Sequence, residues 1–268
     1  MRRDIFFLSV KAPKAELFKT RLTARQVQGM DALLDAGSNL ILHEMANVLA
    51  QVHHETGGGM YPIKETVFPW HKDKHPSDAE VIRRLDRAWA NGQLPWVRSP
   101  YWRGGAFGRG QLQITHDYNY AKFGITDYSD ALNLDVSARI AVEGMSGGHF
   151  TGKKLSDFNF PKDLDNPPRT DPRRIVNGVD GSDDKVQAHH MAFAAALEAG
   201  GWPLDRPVHD VIPYYPDEPT SAPTRPSPPP RPPSAPQRPA PAKKGFLARL
   251  LDRLLSRFFP TSTRGGPS

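Results

Sequence analysis

Residues 38–59 read Ser-Asn-Leu-Ile-Leu-His-Glu-Met-Ala-Asn-Val-Leu-Ala-Gln-Val-His-His-Glu-Thr-Gly-Gly-Gly. Apolar residues recur here at the spacing of a helix face, so we expect a helix that is capped by Ser38 and ended by the glycines. Glu55 then lies at the helix C-terminus, where the dipole and partial burial both raise a carboxyl pKa. The stretch predicts a proton donor. The alternative is a solvated residue at a helix end.

A second carboxylate, Glu65, follows ten positions later. Three glycines and Pro62 stand between the two acidic residues and favour a turn that brings Glu65 back toward Glu55. Cleavage of a glycosidic bond needs two carboxyl groups, one to protonate the leaving oxygen and one to activate water or attack carbon. The pair therefore predicts a glycosidase-type site.

A third segment, residues 107–120, reads FGRGQLQITHDYNY. Its amides, hydroxyls and flat rings are typical of a sugar-binding wall. Arg109, which lies between two glycines, is also explained as a bridge between backbone carbonyls. Tyr118 and Tyr120 fit a core role and a stacking role equally well.

Four segments, in the same order as in the family, carry a resemblance that covers roughly residues 20 to 202. They read HHETGGGMYPIKET (53–66), YWRGGAFGRGQLQITHDYNYAKFG (101–124), ALNLDVSARIAVEGMSGGHFTGKKLSDF (131–158) and RRIVNGVDGSDDKVQAHHMAFAAAL (173–197). The chain resembles the family 19 glycoside hydrolases, which are the plant-type chitinases, and especially their phage and prophage endolysin branch. The resemblance implies a mainly α, lysozyme-like fold with a cleft between two lobes.

The resemblance also implies roles for individual residues. Glu55 matches the general acid, Glu65 is the candidate general base, and Thr115 matches a hydroxyl that helps to hold the attacking water. The sugar-contacting positions are matched by Gln113, Tyr118, Asn119 and Asn177. Asp180 lies near an acidic position of the family, but the loop lengths differ and we assign it no role. The family inverts configuration, which implies carboxyl groups ~6.5 to 9.5 Å apart.

Composition divides the chain of 268 residues. Residues 1–212 read as one catalytic domain, in which Thr23 and Gln26 predict a capping box for a helix that ends at Gly37. Further helical patterns cover residues 136–145 and 186–197, and strand signals are few. Because the chain contains no cysteine, it forms no disulfide, which fits synthesis in a reducing cytoplasm.

The remaining residues form a tail of different composition. Residues 213–242 hold 13 of the 27 prolines and predict an extended linker, and residues 260–268 are expected to be disordered. Lys and Arg exceed Asp and Glu by six, and this whole excess falls in residues 213–268. Residues 243–259, KKGFLARLLDRLLSRFF, predict a basic amphipathic helix that contacts an anionic membrane or lipopolysaccharide. The alternatives are docking on the catalytic domain or dimerisation.

Other classes of function fit less well. His43 and Glu44 lack the second histidine that a helical zinc motif needs, and we expect a surface or core role for the isolated pair His189 and His190, so we expect neither metal nor cofactor. Basic residues that alternate with leucine do not predict nucleic-acid binding. The apolar run at residues 5–8 is too short for a signal peptide, so a cell-wall enzyme made in the cytoplasm would need a partner to reach its substrate.

We therefore expect a monomeric, inverting glycoside hydrolase that acts at the bacterial cell wall. It would cut β-1,4 links in a polysaccharide that contains N-acetylglucosamine. Peptidoglycan is the favoured substrate and chitin the alternative. In a second alternative, the domain only binds the wall and the tail acts on the membrane.

Overall fold

A computed structural model describes residues 1–18, 21–67, 72–95 and 97–205 of the chain. Within these ranges the fold is mainly helical, which confirms the predicted class. Seven α-helices are described: α1 (Arg3–Val10), α2 (Ala24–Ala36), α3 (Leu42–Glu55), α4 (Asp78–Ala90), α5 (Asp117–Lys122), α6 (Leu134–Gly147) and α7 (Asp183–Ala199). Six short 3-10 helices connect them, at 13–15, 101–104, 128–132, 155–157, 162–165 and 172–175.

Helix α3 lies at the centre of the main apolar core. It packs along α7 and also contacts α2 and α6, and twelve of its side chains are buried. A helix enclosed by neighbours on several sides keeps few exposed positions, so polar residues such as Asn47 and Gln51 are buried with the apolar ones. The core therefore contains polar side chains that need partners inside the protein.

The start of α3 differs from the prediction. Its N-cap is Ile41, and the side chain of Glu44 accepts a hydrogen bond from the Ile41 amide at 3.4 Å. Ser38 was the wrong cap, because the helix begins only at Leu42 and Ser38 lies in the turn that follows α2, where its amide bonds to the carbonyl of Asp35. The Leu42 amide bonds to Pro203, which ties the helix start to the end of the described domain.

The other helix predictions are confirmed. Thr23 and Gln26 form the expected capping box of α2, and Gly37 is its C-cap. Helices α6 and α7 contain the predicted patterns at 136–145 and 186–197. Helix α6 is longer than predicted because Asn133 caps its start and Gly148, at φ 70°, ends it.

Little strand structure is present in the described residues. β1 (Ile63–Lys64) pairs antiparallel with β2 (Arg109–Gly110), with Ile63 opposite Gly110. Two smaller apolar clusters lie apart from the main core, one around Trp102 and Phe107 and the other around Tyr120. The two-lobed arrangement stays a prediction.

The segment of residues 56–62 passes directly over α2. A methyl group placed on Gly29 would lie 1.9 Å from the carbonyl oxygen of Met60, so the two main chains are in contact at this point. Gln111 spans the contact, because its Nε2 donates to the carbonyls of Met60 at 2.7 Å and Gly29 at 3.3 Å. This contact fixes the path of the chain between Glu55 and Glu65.

The described helices include none that is both long enough and apolar enough to cross a membrane. The predicted linker at 213–242, the amphipathic segment at 243–259 and the tail at 260–268 lie outside the described residues.

Candidate functional site

Glu55 is the last residue of α3 and is 3% exposed. Thr56 caps the helix, and Gly57 and Gly58 follow at φ 58° and 81°, so the chain turns away where the glycines were expected to end the helix. Oε1 of Glu55 lies 2.5 Å from Nη2 of Arg173. Burial raises the pKa of Glu55 and outweighs the opposing effect of Arg173. The expected direction of the pKa shift is present, but the residue is buried and paired rather than solvated.

Arg173 connects several buried polar groups around Glu55. Its guanidinium donates to Gln51 Oε1 at 2.6 Å and to Asp180 Oδ2 at 2.9 Å, and the side chain is fully buried. Asp171 caps the 3-10 helix at 172–175 and accepts from the Arg173 amide at 2.6 Å. Arg173 was not among the predicted site residues and Asp180 was given no role, although both lie in the fourth resembling segment.

Asn177 belongs to the same cluster. Its Nδ2 donates to Asp180 Oδ2 at 2.8 Å, its Oδ1 accepts from the Gly178 amide at 2.7 Å, and the residue is 1% exposed. The structure therefore connects this predicted sugar-contacting residue to Glu55 through Asp180 and Arg173, with its amide engaged by protein groups.

Glu65 follows β1 and is 1% exposed. Its Oε1 accepts from the Tyr101 hydroxyl and its Oε2 from the Gly108 amide, each at 2.8 Å. Burial is the largest influence on the pKa of Glu65 and raises it to about 7, while these two hydrogen bonds and the charge of Arg109 oppose the rise. Such a group exchanges a proton readily at neutral pH.

Gln113 lies beside Glu65. A methyl group placed on Gly108 would lie 3.1 Å from Gln113 Oε1 and 3.4 Å from Glu65 Oε2. Nε2 of Gln113 donates to the carbonyls of Ile63 at 2.8 Å and Gly110 at 2.7 Å, whereas its Oε1 is buried without a hydrogen-bond partner among the described residues. Gln113, at φ 52°, is held in place by both strands and leaves one acceptor unused beside Glu65.

Thr115, Tyr118 and Asn119 lie nearer the surface. Thr115 is half-buried, and its carbonyl accepts from Asn119 Nδ2 at 2.8 Å. Tyr118 is 53% exposed and stacks on His116, with ring centroids 5.3 Å apart and ring planes 10° apart. Tyr118 is thus the sugar-contacting candidate with the largest open face, whereas Tyr120 is a core residue.

The two glutamates are joined by the turn at residues 56–62, which is fixed internally. The Met60 amide donates to Thr56 Oγ1 at 2.9 Å, and the Glu65 amide donates to the Gly108 carbonyl at 2.7 Å. The turn is therefore closed on itself near its start, and the chain is bonded to the Gly108 segment just beyond its end. The separation of the two carboxyl groups, ~6.5 to 9.5 Å for an inverting enzyme, stays a prediction.

The histidines form contacts between α3 and α7. His190 Nε2 lies 3.1 Å from His43 Nδ1, and the rings of His53 and His189 are 4.1 Å apart. His189 and His190 are not isolated, because each meets a histidine of α3, and the fully buried His190 has a core role, which was one of the two roles expected. Burial lowers the pKa of His190 to about 3. Among the described residues, no group of three His, Asp or Glu side chains is arranged to hold a metal ion.

Arg109 does bridge backbone carbonyls, as one reading of the sequence had it. Its Nη1 donates to the carbonyls of Gly105 at 2.7 Å and Phe107 at 3.3 Å, and its Nη2 pairs with Asp78 at 2.7 Å. Arg109 therefore supports the loop that carries Gly108.

Comparison of the chain with family models, with curated proteins and with solved structures finds no match.

Proposed function

We propose that the protein is a glycoside hydrolase that cleaves β-1,4 glycosidic bonds by an inverting acid/base mechanism. The observation that carries this proposal is a pair of buried carboxyl groups, Glu55 and Glu65, at the two ends of one fixed segment. Both have a raised pKa, yet one is held by a cation and the other by neutral donors. Two carboxyl groups in different environments are what acid/base glycoside cleavage requires.

In this proposal Glu55 gives its proton to the glycosidic oxygen as the bond from that oxygen to the anomeric carbon breaks. Glu65 takes a proton from water, whose oxygen bonds to the anomeric carbon from the opposite face, and Thr115 helps to hold that water. The positive charge of Arg173 stabilises the Glu55 carboxylate that the transfer leaves. Gln113, Tyr118, Asn119 and Asn177 orient the sugar. The scheme uses no metal or organic cofactor.

The proposed substrate is a cell-wall polysaccharide that contains N-acetylglucosamine, with peptidoglycan favoured and chitin as the alternative. The four resembling segments support this class, and the exposed ring of Tyr118 supplies an apolar face on which a sugar can stack. The choice of peptidoglycan rests on the endolysin branch and on the basic segment at 243–259, which we propose contacts an anionic membrane or lipopolysaccharide. The site of action would be the bacterial cell wall and the active form a monomer.

Purified sacculi test the proposal directly. Wild-type protein should release soluble fragments, and mass analysis of their ends identifies the bond that is cut. Glu55→Gln should lower turnover by about 10³-fold or more while polymer binding persists, because the amide keeps the shape but has no acidic proton to give. Glu143→Gln, which changes an exposed glutamate on α6, is the matched control and should keep full turnover.

Rescue experiments separate the two roles. Glu65→Gln should also be severely impaired, and added azide should restore part of its turnover as a substitute nucleophile that needs no base. Glu55→Gln should instead recover on an aryl glycoside whose leaving group needs no protonation. Full activity of Glu65→Gln would mean that another acidic residue is the base.

The second candidate function is a wall-binding domain without catalysis, in which a membrane-active tail does the damage. It is favoured by the deep burial of the two glutamates, because a catalytic acid must reach its substrate. Glu55 is only 3% exposed and Glu65 only 1%. Tight binding of wild-type protein to sacculi without release of fragments would establish this candidate and reject the hydrolase.

A further inference from the structure

A row of three aromatic rings runs from the protein surface to the carboxyl group of Glu65. Tyr118, at the outer end, is 53% exposed and stacks on His116. The His116 ring lies 4.5 Å from the ring of Tyr101, and the Tyr101 hydroxyl donates to Oε1 of Glu65 at 2.8 Å. Three side chains therefore connect an open surface to a carboxyl group that is 1% exposed.

The backbone of His116 supports a functional reading of this row. Its φ of 68° and ψ of 139° lie in a region that residues with a Cβ rarely adopt, and its amide donates to the Ala106 carbonyl at 2.9 Å. Such strain persists only where the surroundings enforce it, and it is concentrated at functional sites. The main chain thus fixes the imidazole between the two tyrosines.

We infer that Tyr101 is a positioning residue for Glu65, and that the exposed face of Tyr118 and His116 binds a saccharide ring and communicates with Glu65 through Tyr101. This inference rests on the proposed function and names the part of the site that receives the sugar. A pyranose ring has an apolar C–H face that packs on aromatic rings. The Tyr101 hydroxyl is the described link between that face and the carboxyl oxygen.

Several groups face Glu65, and each has a different position. The Gly108 amide holds Oε2, the guanidinium of Arg109 adds positive charge, and the phenol of Tyr120 also lies near. Tyr101 differs from them because its ring also touches His116. Movement of the outer rings upon sugar binding would therefore change the hydrogen bond to Oε1 before it changes the others.

The first test is a titration that does not depend on catalysis. In protein carrying ¹³C at the glutamate carboxyl carbons, with the Glu65 signal assigned from its absence in Glu65→Gln, we expect Tyr101→Phe to raise the Glu65 pKa above about 7 by about one unit. The reason is that the Tyr101 hydroxyl donates a hydrogen bond to the Glu65 carboxylate and so lowers its pKa, and Phe has no such donor. Tyr128→Phe is the matched control, since it removes a phenol hydroxyl that donates to Asp117, and it should leave the Glu65 signal unchanged. An unchanged titration in Tyr101→Phe would overturn the positioning role.

The second test adds a tetramer of β-1,4-linked N-acetylglucosamine. In the wild type the tetramer should shift the Glu65 signal, and Tyr118→Ala should weaken its binding by about tenfold because one stacking face is lost. Tyr101→Phe should still bind the tetramer within about threefold but should lose the shift of Glu65. Because Tyr118 is a surface residue, its variant tests the inference even where Tyr101→Phe lowers stability.

The outcomes distinguish this inference from the proposed function. Tetramer binding that depends on Tyr118, with the shift of Glu65 but without release of fragments from any polymer, would support the inference and reject the hydrolase. Hydrolysis of sacculi by a protein whose Tyr118→Ala variant binds the tetramer normally would support the hydrolase and overturn the inference. A full shift of Glu65 in Tyr101→Phe would also overturn it.

Discussion

Glu55 and Glu65 show two ways of holding a buried carboxyl group in one protein. Glu55 ends a core helix and faces the guanidinium of Arg173, which in turn binds Asp180. Glu65 follows a two-residue strand and receives hydrogen bonds from a phenol and a backbone amide. Burial raises the pKa of both carboxyl groups; the rise is opposed at Glu55 chiefly by the charge of Arg173, and at Glu65, whose pKa reaches about 7, by the two hydrogen bonds and the charge of Arg109. The helical region thus holds its carboxyl group against a cation, and the loop region holds its carboxyl group with a phenol and a backbone amide.

The largest expected effect follows from removal of the cation. Arg173→Met leaves Asp180, and Glu55 in its ionised form, buried without a counter-charge, so we expect the free energy of unfolding at pH 7 to fall by about 3 to 5 kcal/mol. Urea denaturation followed by circular dichroism measures this change. The exposed Arg169→Met is the control and should change stability by less than about 0.5 kcal/mol.

A triple variant sharpens the same prediction. Adding Glu55→Gln and Asp180→Asn to Arg173→Met removes all three charges, and most of the lost stability should return. Equal stability of the single and triple variants would show that Arg173 acts through packing and not through its charge.

The second prediction concerns stability and pH around Glu65. Its folded pKa of about 7 lies above the usual 4.5, so the folded protein binds this proton more tightly than the unfolded chain. The stabilisation of the fold by this proton is fully present below pH 4.5 and is lost as the pH rises through 7. Glu65→Gln does not titrate and so does not lose this stabilisation. Its free energy of unfolding, relative to that of the wild type, should therefore increase by roughly 3 kcal/mol between pH 4.5 and 7.5. Unfolding curves at several pH values measure this difference, and a constant difference would contradict the raised pKa.

The third prediction concerns His190, which lies between α3 and α7 and has a lowered pKa, whereas the pKa of Glu65 is raised. Burial lowers the pKa of His190 to about 3, below its usual 6.5, so its neutral form stabilises the fold above pH 6.5 and that contribution is lost as the pH falls toward 3. His190→Gln removes this dependence. Its stability should fall less steeply than that of the wild type between pH 6 and 4, by up to about 1.4 kcal/mol per pH unit. Parallel curves for the two proteins would show that His190 is already protonated or does not titrate.

The smallest effect is expected for cleavage after removal of the tail. A protein that ends at residue 212 should degrade membrane-free sacculi within about twofold of the full chain, because all candidate site residues precede that point. Lysis of intact Gram-negative cells should weaken, and Leu250→Asp with Leu254→Asp should reproduce the defect by placing charge on the apolar face. Equal lysis by all forms, without liposome binding by the full chain, would favour docking or dimerisation of residues 243–259.

The sequence predicts the helices well because their signals are local. The capping box of Thr23 and Gln26 and the glycine stop after Glu55 depend on residues within one turn of the helix end. Ser38 shows the limit, since it lies in the turn after α2, the helix begins only at Leu42, and the Glu44 side chain accepts from the amide of the N-cap Ile41. Local propensity does not determine which of two adjacent capping arrangements forms.

The surroundings of the two glutamates could not be predicted in the same way. Arg173 meets Glu55 across 118 positions and Tyr101 meets Glu65 across 36, and neither arginine nor tyrosine has a local pattern that marks such a contact. The packing of Glu65 also depends on Gly108, which directly precedes the opposite strand β2 at a position with little room for a side chain. The residue types of the site were therefore predictable, but their electrostatic partners required the three-dimensional fold.

Gly29 has a consequence for how this protein can be altered. The path between the two glutamates is set where the main chain of Met60 touches the main chain of Gly29. This point has no room for a side chain at position 29, so the path does not depend on how apolar side chains fit together. Core substitutions that conserve volume should therefore disturb this path less than a side chain at position 29 would. An insertion between residues 56 and 62 would instead move the chain off this support, so length is the variable to which the segment is least tolerant.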